Sequence, residues 1–145
     1  MCGIAGIIGP NQADDERVVE NMLSVIKHRG PDDTVVQRFD GACLGHVRLS
    51  IIDVGNGGKQ PVQSESGLSL VFNGMLYNYI ELKKVLTRHY GFRSRSDTEV
   101  LLAAFDIWGS DCLEKLNGMF AFCAFNQEKK LASFVRDRFG QKPLF

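Results

Sequence analysis

The chain has 145 residues, of which 17 are basic and 17 acidic, so its formal net charge at pH 7 is zero. This balance does not indicate nucleic acid or a membrane surface as a partner, and it favours a small-molecule substrate. The length suits one domain with a real core, and neither a membrane span nor a secretory signal is recognisable. A cytoplasmic location is therefore expected.

Helical and strand patterns alternate along the chain. In chain order, the sequence predicts strand 4–8, helix 13–27, strands 34–39 and 43–53, a Gly-rich loop from Asp53 to about Gly67, strand 68–72, helices from Asn78 to about 90 and from 97 to 108, and a hairpin of strands 119–125 and 131–138. Capping boxes are expected at Asn78/Glu81 and at Ser96/Glu99. The hairpin strands are nearly continuously apolar, which predicts cover on both faces. Together these elements predict a layered α/β or α+β protein with helices on stacked sheets.

The four cysteines, at positions 2, 43, 112 and 123, are scattered and form no C-x-x-C pair. This spacing does not fit a structural zinc site, so no metal is expected and the thiols are expected to be free. No Gly-rich phosphate loop follows a predicted strand, so a bound nucleotide is not indicated either.

Cys2 becomes the first residue if Met1 is removed, which a small second residue generally permits. Its thiol would then lie beside a free α-amino group, whose reference pKa of about 7.7 to 8.0 allows it to accept the thiol proton. Nucleophile and base would share one residue. On position alone, however, an ordinary buried or frayed cysteine is the more common case.

Asn73 and Gly74 come directly after predicted strand 68–72, where a side-chain amide and a glycine N–H can point at one oxygen. Asn-Gly is also the commonest hairpin turn signal, but a helix rather than a returning strand is predicted to follow. The pair therefore indicates an oxyanion hole.

Arg48 and Asp97 form a matched pair of charges. In predicted strand 43–53, His46, Arg48 and Ser50 share the polar face, where a guanidinium could hold a carboxylate through two parallel hydrogen bonds. A solvated arginine is equally compatible with that position. Asp97 lies in the first turn of its helix, where the dipole already favours a carboxylate. Arg48 could recognise a carboxylate and Asp97 an ammonium group, and an amino acid carries both of these groups on its α-carbon.

The chain resembles, from end to end, the N-terminal glutaminase domain of class II glutamine amidotransferases. The resemblance is carried, in the family's order, by "MCGIAGI", "HRGPDD", "GHVRLSIID", "QPV", "FNGMLYNY", "SDTEVLL", "WGSDCLEKLNGMFAF" and "RDRFGQKPL". Within the class, "HRGPDD", "RLSIID" and "RDRFGQKPL" are similar to the asparagine synthetase branch.

This resemblance implies an α+β fold, namely an αββα sandwich of N-terminal-nucleophile hydrolase type, with L-glutamine as substrate. Cys2 would attack the side-chain amide, ammonia would leave, and water would release glutamate from a thioester. Asn73 and Gly74 would form the oxyanion hole. Arg48 would hold the substrate α-carboxylate and Asp97 its α-amino group.

The resemblance also implies a role for Arg29 and an acceptor for the ammonia. Arg29, within "HRGPDD", would lie near the active site with a positional role. The acceptor would be a synthetase domain or a partner protein. ATP and Mg would be needed only by that synthetase domain, and no cofactor is expected in the glutaminase domain.

Two features depart from the family pattern. Met75 stands where the family has a glutamate in "FNGE", an acid that shares the α-ammonium group with the aspartate matched by Asp97, so weak glutamine binding is expected. The chain also stops at "KPLF", where the family continues into further strands and a synthetase domain. We therefore expect one glutaminase domain over residues 1–145 without its C-terminal strands. An unpaired sheet edge could favour a homo-oligomer.

Three functions can be weighed on these observations. The first is a glutamine-hydrolysing half-enzyme that feeds ammonia to a synthetase domain or partner. The second is a catalytically weakened binding or regulatory module, which Met75 and the early stop favour. The third, a redox or metal-binding thiol protein, finds little support in the scattered cysteines.

Overall fold

The computed structural model describes residues 2–51 and 56–145. The end of predicted strand 43–53 and the start of the predicted Gly-rich loop, at residues 52–55, lie outside the described residues. Within them the strands are β1 (Gly3–Ile8), β2 (Asp33–Phe39), β3 (Ala42–Arg48), β4 (Val62–Gln63), β5 (Leu68–Leu76), β6 (Gly118–Asn126) and β7 (Leu131–Arg136). The α-helices are α1 (Asp15–Val25), α2 (Tyr79–Leu86) and α3 (Asp97–Trp108), and short 3₁₀ helices span Lys27–Arg29, Asn56–Gly58 and Gly109–Lys115.

Two antiparallel sheets lie face to face between layers of helices. Sheet I has the strand order β1-β3-β2, and sheet II has the order β4-β5-β6-β7. Helix α1 packs on the outer face of sheet I through Val19 and Leu23. Helix α3 packs on the outer face of sheet II through Leu101 and Leu102, and α2 packs against α3. This order of layers is the αββα sandwich that the resemblance implied.

The inner faces of the two sheets follow from strand alternation. Leu44 of β3 and Val71 of β5 belong to an apolar cluster between the sheets, together with Phe39, Ala42, Cys123 and Phe125. Side chains two residues apart on a strand share a face. His46 and Arg48 therefore lie on the same inner face as Leu44, and Asn73 on the same inner face as Val71. The gap between the sheets is apolar at one end and polar at the other.

Strand β5 is longer than the sequence predicted. The apolar run predicted an end at residue 72, but β5 continues to Leu76 because β6 pairs with it throughout. Asn73 and Gly74 therefore lie inside the strand, opposite Ala121 and Phe120, rather than beyond its end. They form no hairpin turn, as expected. Strand β3, in contrast, ends at Arg48, earlier than predicted.

The expected cap of α2 is wrong. Asn78 precedes the helix but makes no side-chain cap. Its amide instead donates to the Lys115 carbonyl (2.9 Å) and accepts from the Asn117 N–H (3.0 Å), so it joins two distant segments. The helix ends at Leu86, short of the predicted position near 90.

The expected capping box of α3 is half right. Ser96 caps the helix by accepting from the Thr98 N–H at 3.1 Å. Glu99 does not bond back to Ser96 in the reciprocal way; its carboxylate accepts from the backbone of Arg93 and from the N–H and hydroxyl of Ser94. Glu99 thus orders the segment before the helix.

The predicted hairpin exists as β6 and β7, but only β6 is covered on both faces. Strand β7 lies at the edge of sheet II, and its Leu131 and Phe134 side chains are 57% and 59% exposed. The expectation of two-sided cover is therefore wrong for β7, because an apolar run by itself does not show what packs against it.

Candidate active site

Cys2 is held in place from two directions. Arg29 Nε donates to the Cys2 carbonyl oxygen at 3.1 Å, and the Leu49 N–H donates to Cys2 Sγ at 3.4 Å. Cys2 Sγ also lies 3.7 Å from the Leu49 carbonyl oxygen. Arg29 follows α1 and Leu49 follows β3, so both contacts come from elements that pack with β1. Cys2 is therefore ordered rather than frayed.

A cavity of about 70 Å³ opens at the polar end of the gap between the sheets. Its lining includes six residues that the sequence singled out, namely Cys2, Arg48, Asn73, Gly74, Met75 and Asp97. Arg29 is not part of the lining, and its contact is with the Cys2 carbonyl oxygen. Residues from β3, β5 and α3 thus meet the residue before β1 at one point.

The backbone of β5 presents polar groups to this cavity. In an antiparallel pair, residues alternate between bonding to the neighbouring strand and pointing away from it. The Leu76 N–H points away from β6, because it donates to Asp97 Oδ2 at 3.1 Å. Phe72 does the same, because its N–H donates to Gln60 Oε1 at 2.6 Å. By alternation, the N–H of Gly74 between them points to the same side, which is the cavity side.

Gly74 is also required by the packing of β5 on β6. A Cβ atom at this position would lie 2.3 Å from the Met119 carbonyl oxygen and 2.7 Å from Phe120 Cα. Both are backbone atoms that cannot turn aside, so a side chain would force the strands apart.

Arg48 is buried at the end of β3, and its guanidinium packs against Gly58. A Cβ atom on Gly58 would lie 2.3 Å from Arg48 Nη2, so the absence of a side chain there makes room for the guanidinium. A buried planar cation at the cavity wall is suited to bidentate binding of a carboxylate.

Asp97 is the first residue of α3 and is buried. Burial raises the pKa of its carboxyl, while hydrogen bonds from the backbone N–H groups of Leu76, Thr98 and Asp97 itself act in the opposite direction. A carboxylate fixed in this way at the cavity wall is suited to holding an ammonium group.

Met75 lines the cavity together with Met119, its partner across the β5–β6 ladder. Two thioether side chains thus occupy the wall where the family pattern places an acid. They offer no strong hydrogen-bond acceptor for an ammonium group.

Sequence reasoning gave no site role to three buried residues that also line the cavity, His46, Gln60 and Lys142. His46 was noticeable because it shares a strand face with Arg48, and Gln60 lies in the quoted motif "QPV". Lys142 carried no local signal. Its position depends on Asp137, which accepts from the Lys142 N–H at 3.0 Å, and on Arg136 Nε, which donates to the Lys142 carbonyl at 2.6 Å.

The imidazole of His46 is neutral in this environment. Burial lowers its pKa from 6.5 to about 4, with a further lowering by Arg48, against opposing effects of Asp33 and of a hydrogen bond to the Phe72 backbone. Nε2 of the ring is buried without a hydrogen-bond partner.

The remaining cysteines differ from Cys2 in exposure. Cys43, Cys112 and Cys123 are buried free thiols, whereas Cys2 is half-buried at the cavity. Burial raises the pKa of Cys112 and Cys123 to about 12, and it also raises that of Cys43. Only Cys2 among the four is thus placed to react.

Within the part of the chain that the structure describes, no group of three or more His, Cys, Asp or Glu side chains could hold a metal ion. Nor does any helix in residues 2–51 and 56–145 have the length and apolar character needed to cross a membrane.

Over residues 1–145 the chain matches the family model described as glutamine amidotransferase domain. The chain belongs to this family. Among relatives of the domain, asparagine synthetase (glutamine-hydrolyzing) 1 of Bacillus subtilis (strain 168) is 40% identical over 150 residues, covering 100% of this chain and 24% of that protein. Putative asparagine synthetase (glutamine-hydrolyzing) 2 of Methanocaldococcus jannaschii is 36% identical over 164 residues, covering 100% and 32%.

The chain therefore spans about a quarter to a third of the length of these relatives. A solved structure, glutamine phosphoribosylpyrophosphate amidotransferase from B. subtilis complexed with ADP and GMP, superposes with a TM-score of 0.76. The two are 22% identical, and the match covers 94% of this chain and 37% of that one. At this identity the likeness concerns the fold alone, and it agrees with the αββα sandwich described above.

Proposed function

We propose that this domain hydrolyses the side-chain amide of L-glutamine, with Cys2 as the nucleophile. Membership of the glutamine amidotransferase family supports the substrate. The observation that carries the proposal is the cavity that joins the Cys2 thiol to the Asn73–Gly74 pair and to Arg48.

The reaction begins with the thiol proton. With Met1 removed, the α-amino group of Cys2 accepts this proton and the sulfur attacks the amide carbon. The carbonyl oxygen becomes an oxyanion, which the Gly74 N–H and the Asn73 side-chain amide stabilise. The C–N bond breaks as the α-ammonium group returns the proton to the nitrogen, so that ammonia departs and a thioester remains on Cys2. Water then adds to the thioester carbon while the α-amino group takes its proton, the C–S bond breaks, the sulfur receives that proton, and glutamate departs.

Arg48 and Asp97 supply recognition in this proposal. Arg48 binds the α-carboxylate of glutamine and Asp97 its α-ammonium group, so the amide reaches the sulfur in one orientation. Their burial supports the assignment, because charge pairs with substrate gain strength where water is excluded. Arg29 acts by holding the Cys2 backbone.

The ammonia acceptor in this proposal is a synthetase domain or partner protein. The named relatives are asparagine synthetases that are three to four times longer than the match. ATP and Mg belong to that synthetase, and the glutaminase reaction itself needs neither.

A second candidate is a weakened module that binds glutamine poorly and serves regulation. Met75 is the observation that favours it, because the cavity offers the α-ammonium group a single acid, Asp97, among its described lining residues.

The deciding experiment measures ammonia release from glutamine by the purified chain and by Cys2→Ala. We expect release by the wild type and none by the variant, while Cys43→Ala, which alters a thiol on the α1 side of β3, keeps the activity. Equal rates for wild type and Cys2→Ala would reject hydrolysis by this site.

Two further measurements separate the candidates. Intact mass shows whether Met1 is removed, and a retained Met1 would block the α-amine and favour the regulatory module. A glutamine-like electrophile should label Cys2, and labelling at Cys43, Cys112 or Cys123 would count against the assignment.

A further inference from the structure

Phe72, directly before Asn73, is gripped at its backbone N–H by a buried side chain from another segment. Gln60 Oε1 accepts from the Phe72 N–H at 2.6 Å. Gln60 is 4% exposed, so this bond does not compete with bulk water.

Gln60 occupies the place of a missing strand. The β4–β5 register pairs Val62 with Leu70, so continuing the same register by two residues brings Gln60 opposite Phe72. Strand β4 begins only at Val62, so this position has no backbone ladder bond to Phe72. The side-chain oxygen of Gln60 thus accepts the hydrogen bond that a backbone carbonyl would accept if strand β4 continued.

The grip on Phe72 is anchored to the helix that carries Asp97. Gln60 Nε2 donates to Thr98 Oγ1 at 3.3 Å, and Thr98 lies in the first turn of α3. Asp97 in turn accepts from the Leu76 N–H at the other end of the same stretch of β5. Residues 72 and 76 are therefore both fixed to side chains, and Gly74 lies midway between them.

We propose that Gln60 is a positioning residue that fixes Phe72 and thereby aims the Gly74 N–H and the Asn73 amide at one point in the cavity. This rests on the proposed glutamine hydrolysis. A strand that could shift by about 1 Å at residue 72 would misplace both donors, and a misplacement of that size can cost about 10²-fold in rate.

The test uses two substitutions at position 60 and one matched control. Gln60→Met removes both hydrogen bonds at similar size. Gln60→Glu keeps an oxygen for the Phe72 N–H. Gln63→Met removes a comparable amide bond to β5, from Gln63 Nε2 to Ser69 Oγ at 3.1 Å, away from the cavity lining. For each, kcat and KM for glutamine hydrolysis are measured beside the rate at which iodoacetamide alkylates Cys2.

Alkylation by iodoacetamide forms no oxyanion, so its rate reports the reactivity of the Cys2 thiol alone. A loss of kcat without a loss of alkylation rate therefore reports misaligned oxyanion donors. We expect Gln60→Met to lower kcat by about 10²-fold with little change in KM and an alkylation rate within about twofold of wild type. Gln60→Glu should recover most of kcat, and Gln63→Met should change neither rate.

Unchanged kcat in Gln60→Met overturns the proposal, and so does an equal fall in kcat and alkylation, which would mean general disruption around the thiol. If circular dichroism shows that Gln60→Met does not fold, Thr98→Val decides, because it loosens Gln60 alone; a fall of about threefold or more in kcat supports the proposal and no fall rejects it. A wild type that releases no ammonia would instead refute the proposed function.

Discussion

The same strands line both ends of the gap between the sheets, but one end is an apolar core and the other is a polar cavity. At one end, Leu44 and Val71 pack with Phe125 in a dry cluster. Two residues further along the same strands, His46 and Asn73 line a cavity. One pair of strands can thus build both an apolar core and a polar cavity on the same face, provided that apolar and polar residues keep the two-residue period.

The largest effect should come from the apolar end. Phe125 is fully buried and its ring packs on Phe39, with centroids 6.4 Å apart. Phe125→Ala should lower the free energy of unfolding by about 3 to 5 kcal/mol, measured by urea denaturation. Under conditions where Phe125→Ala is folded, it should keep the wild-type KM for glutamine. A raised KM in the fully folded variant would show that packing at the apolar end affects the cavity.

Asn73→Ala should show the converse at the polar end. Removing one oxyanion donor typically raises the barrier by about 2.7 to 4 kcal/mol, so kcat should fall by about 10² to 10³-fold. Urea denaturation should show a smaller loss of stability than for Phe125→Ala. A kcat within threefold of wild type would contradict the oxyanion role of Asn73.

Acid should weaken the polar end through His46. Its pKa is about 4 in the folded protein, against 6.5 for the free side chain, so between these values the unfolded state binds more protons. Stability from this group is complete above pH 6.5 and is lost as the pH falls towards 4, by about 3 kcal/mol in all and about 2 kcal/mol between pH 7 and pH 5.

The comparison variant for this effect is His46→Gln, studied by urea denaturation at pH 7 and pH 5. Arg48 and Asp33 face the ring and remain in both proteins, so the difference between the two pH dependences isolates His46. Identical pH dependences would show that His46 is not held neutral.

Met75→Glu should strengthen glutamine binding at the polar end. A second acid facing the α-ammonium group adds a charged hydrogen bond of about 1.5 to 3 kcal/mol, so KM for glutamine should fall by about ten- to a hundredfold. Met75→Gln, of similar shape without the charge, is the control and should recover less. An unchanged or higher KM for Met75→Glu would reject the account of weak binding.

Local patterns in the sequence predicted much of this arrangement. The alternation of His46 with Arg48 indicated a polar strand face, and Ser96 indicated the start of α3. The polar face became a cavity wall because sheet II lies opposite, which the motifs implied through family resemblance rather than through periodicity.

What local patterns could not predict depends on partners far away in the chain. Asn78 looked like a helix cap but bonds Lys115 and Asn117, because tertiary partners outcompeted the helix end. Strand β5 extends beyond its apolar segment because β6 pairs with it over its whole length. Lys142 reaches the cavity only through the turn that Asp137 organises, so residue spacing carried no sign of it. The roles of the six cavity residues stay predictions until the variants are measured.

The contact between Arg29 and Cys2 has a thermodynamic consequence. A chain start is normally a fluctuating segment, and immobilising one residue's backbone costs about 1 to 2 kcal/mol of conformational entropy at room temperature. Because Arg29 Nε already binds the Cys2 carbonyl, that ordering takes place when the protein folds. A molecule that approaches the Cys2 sulfur therefore meets a residue whose backbone no longer has to be immobilised during the encounter.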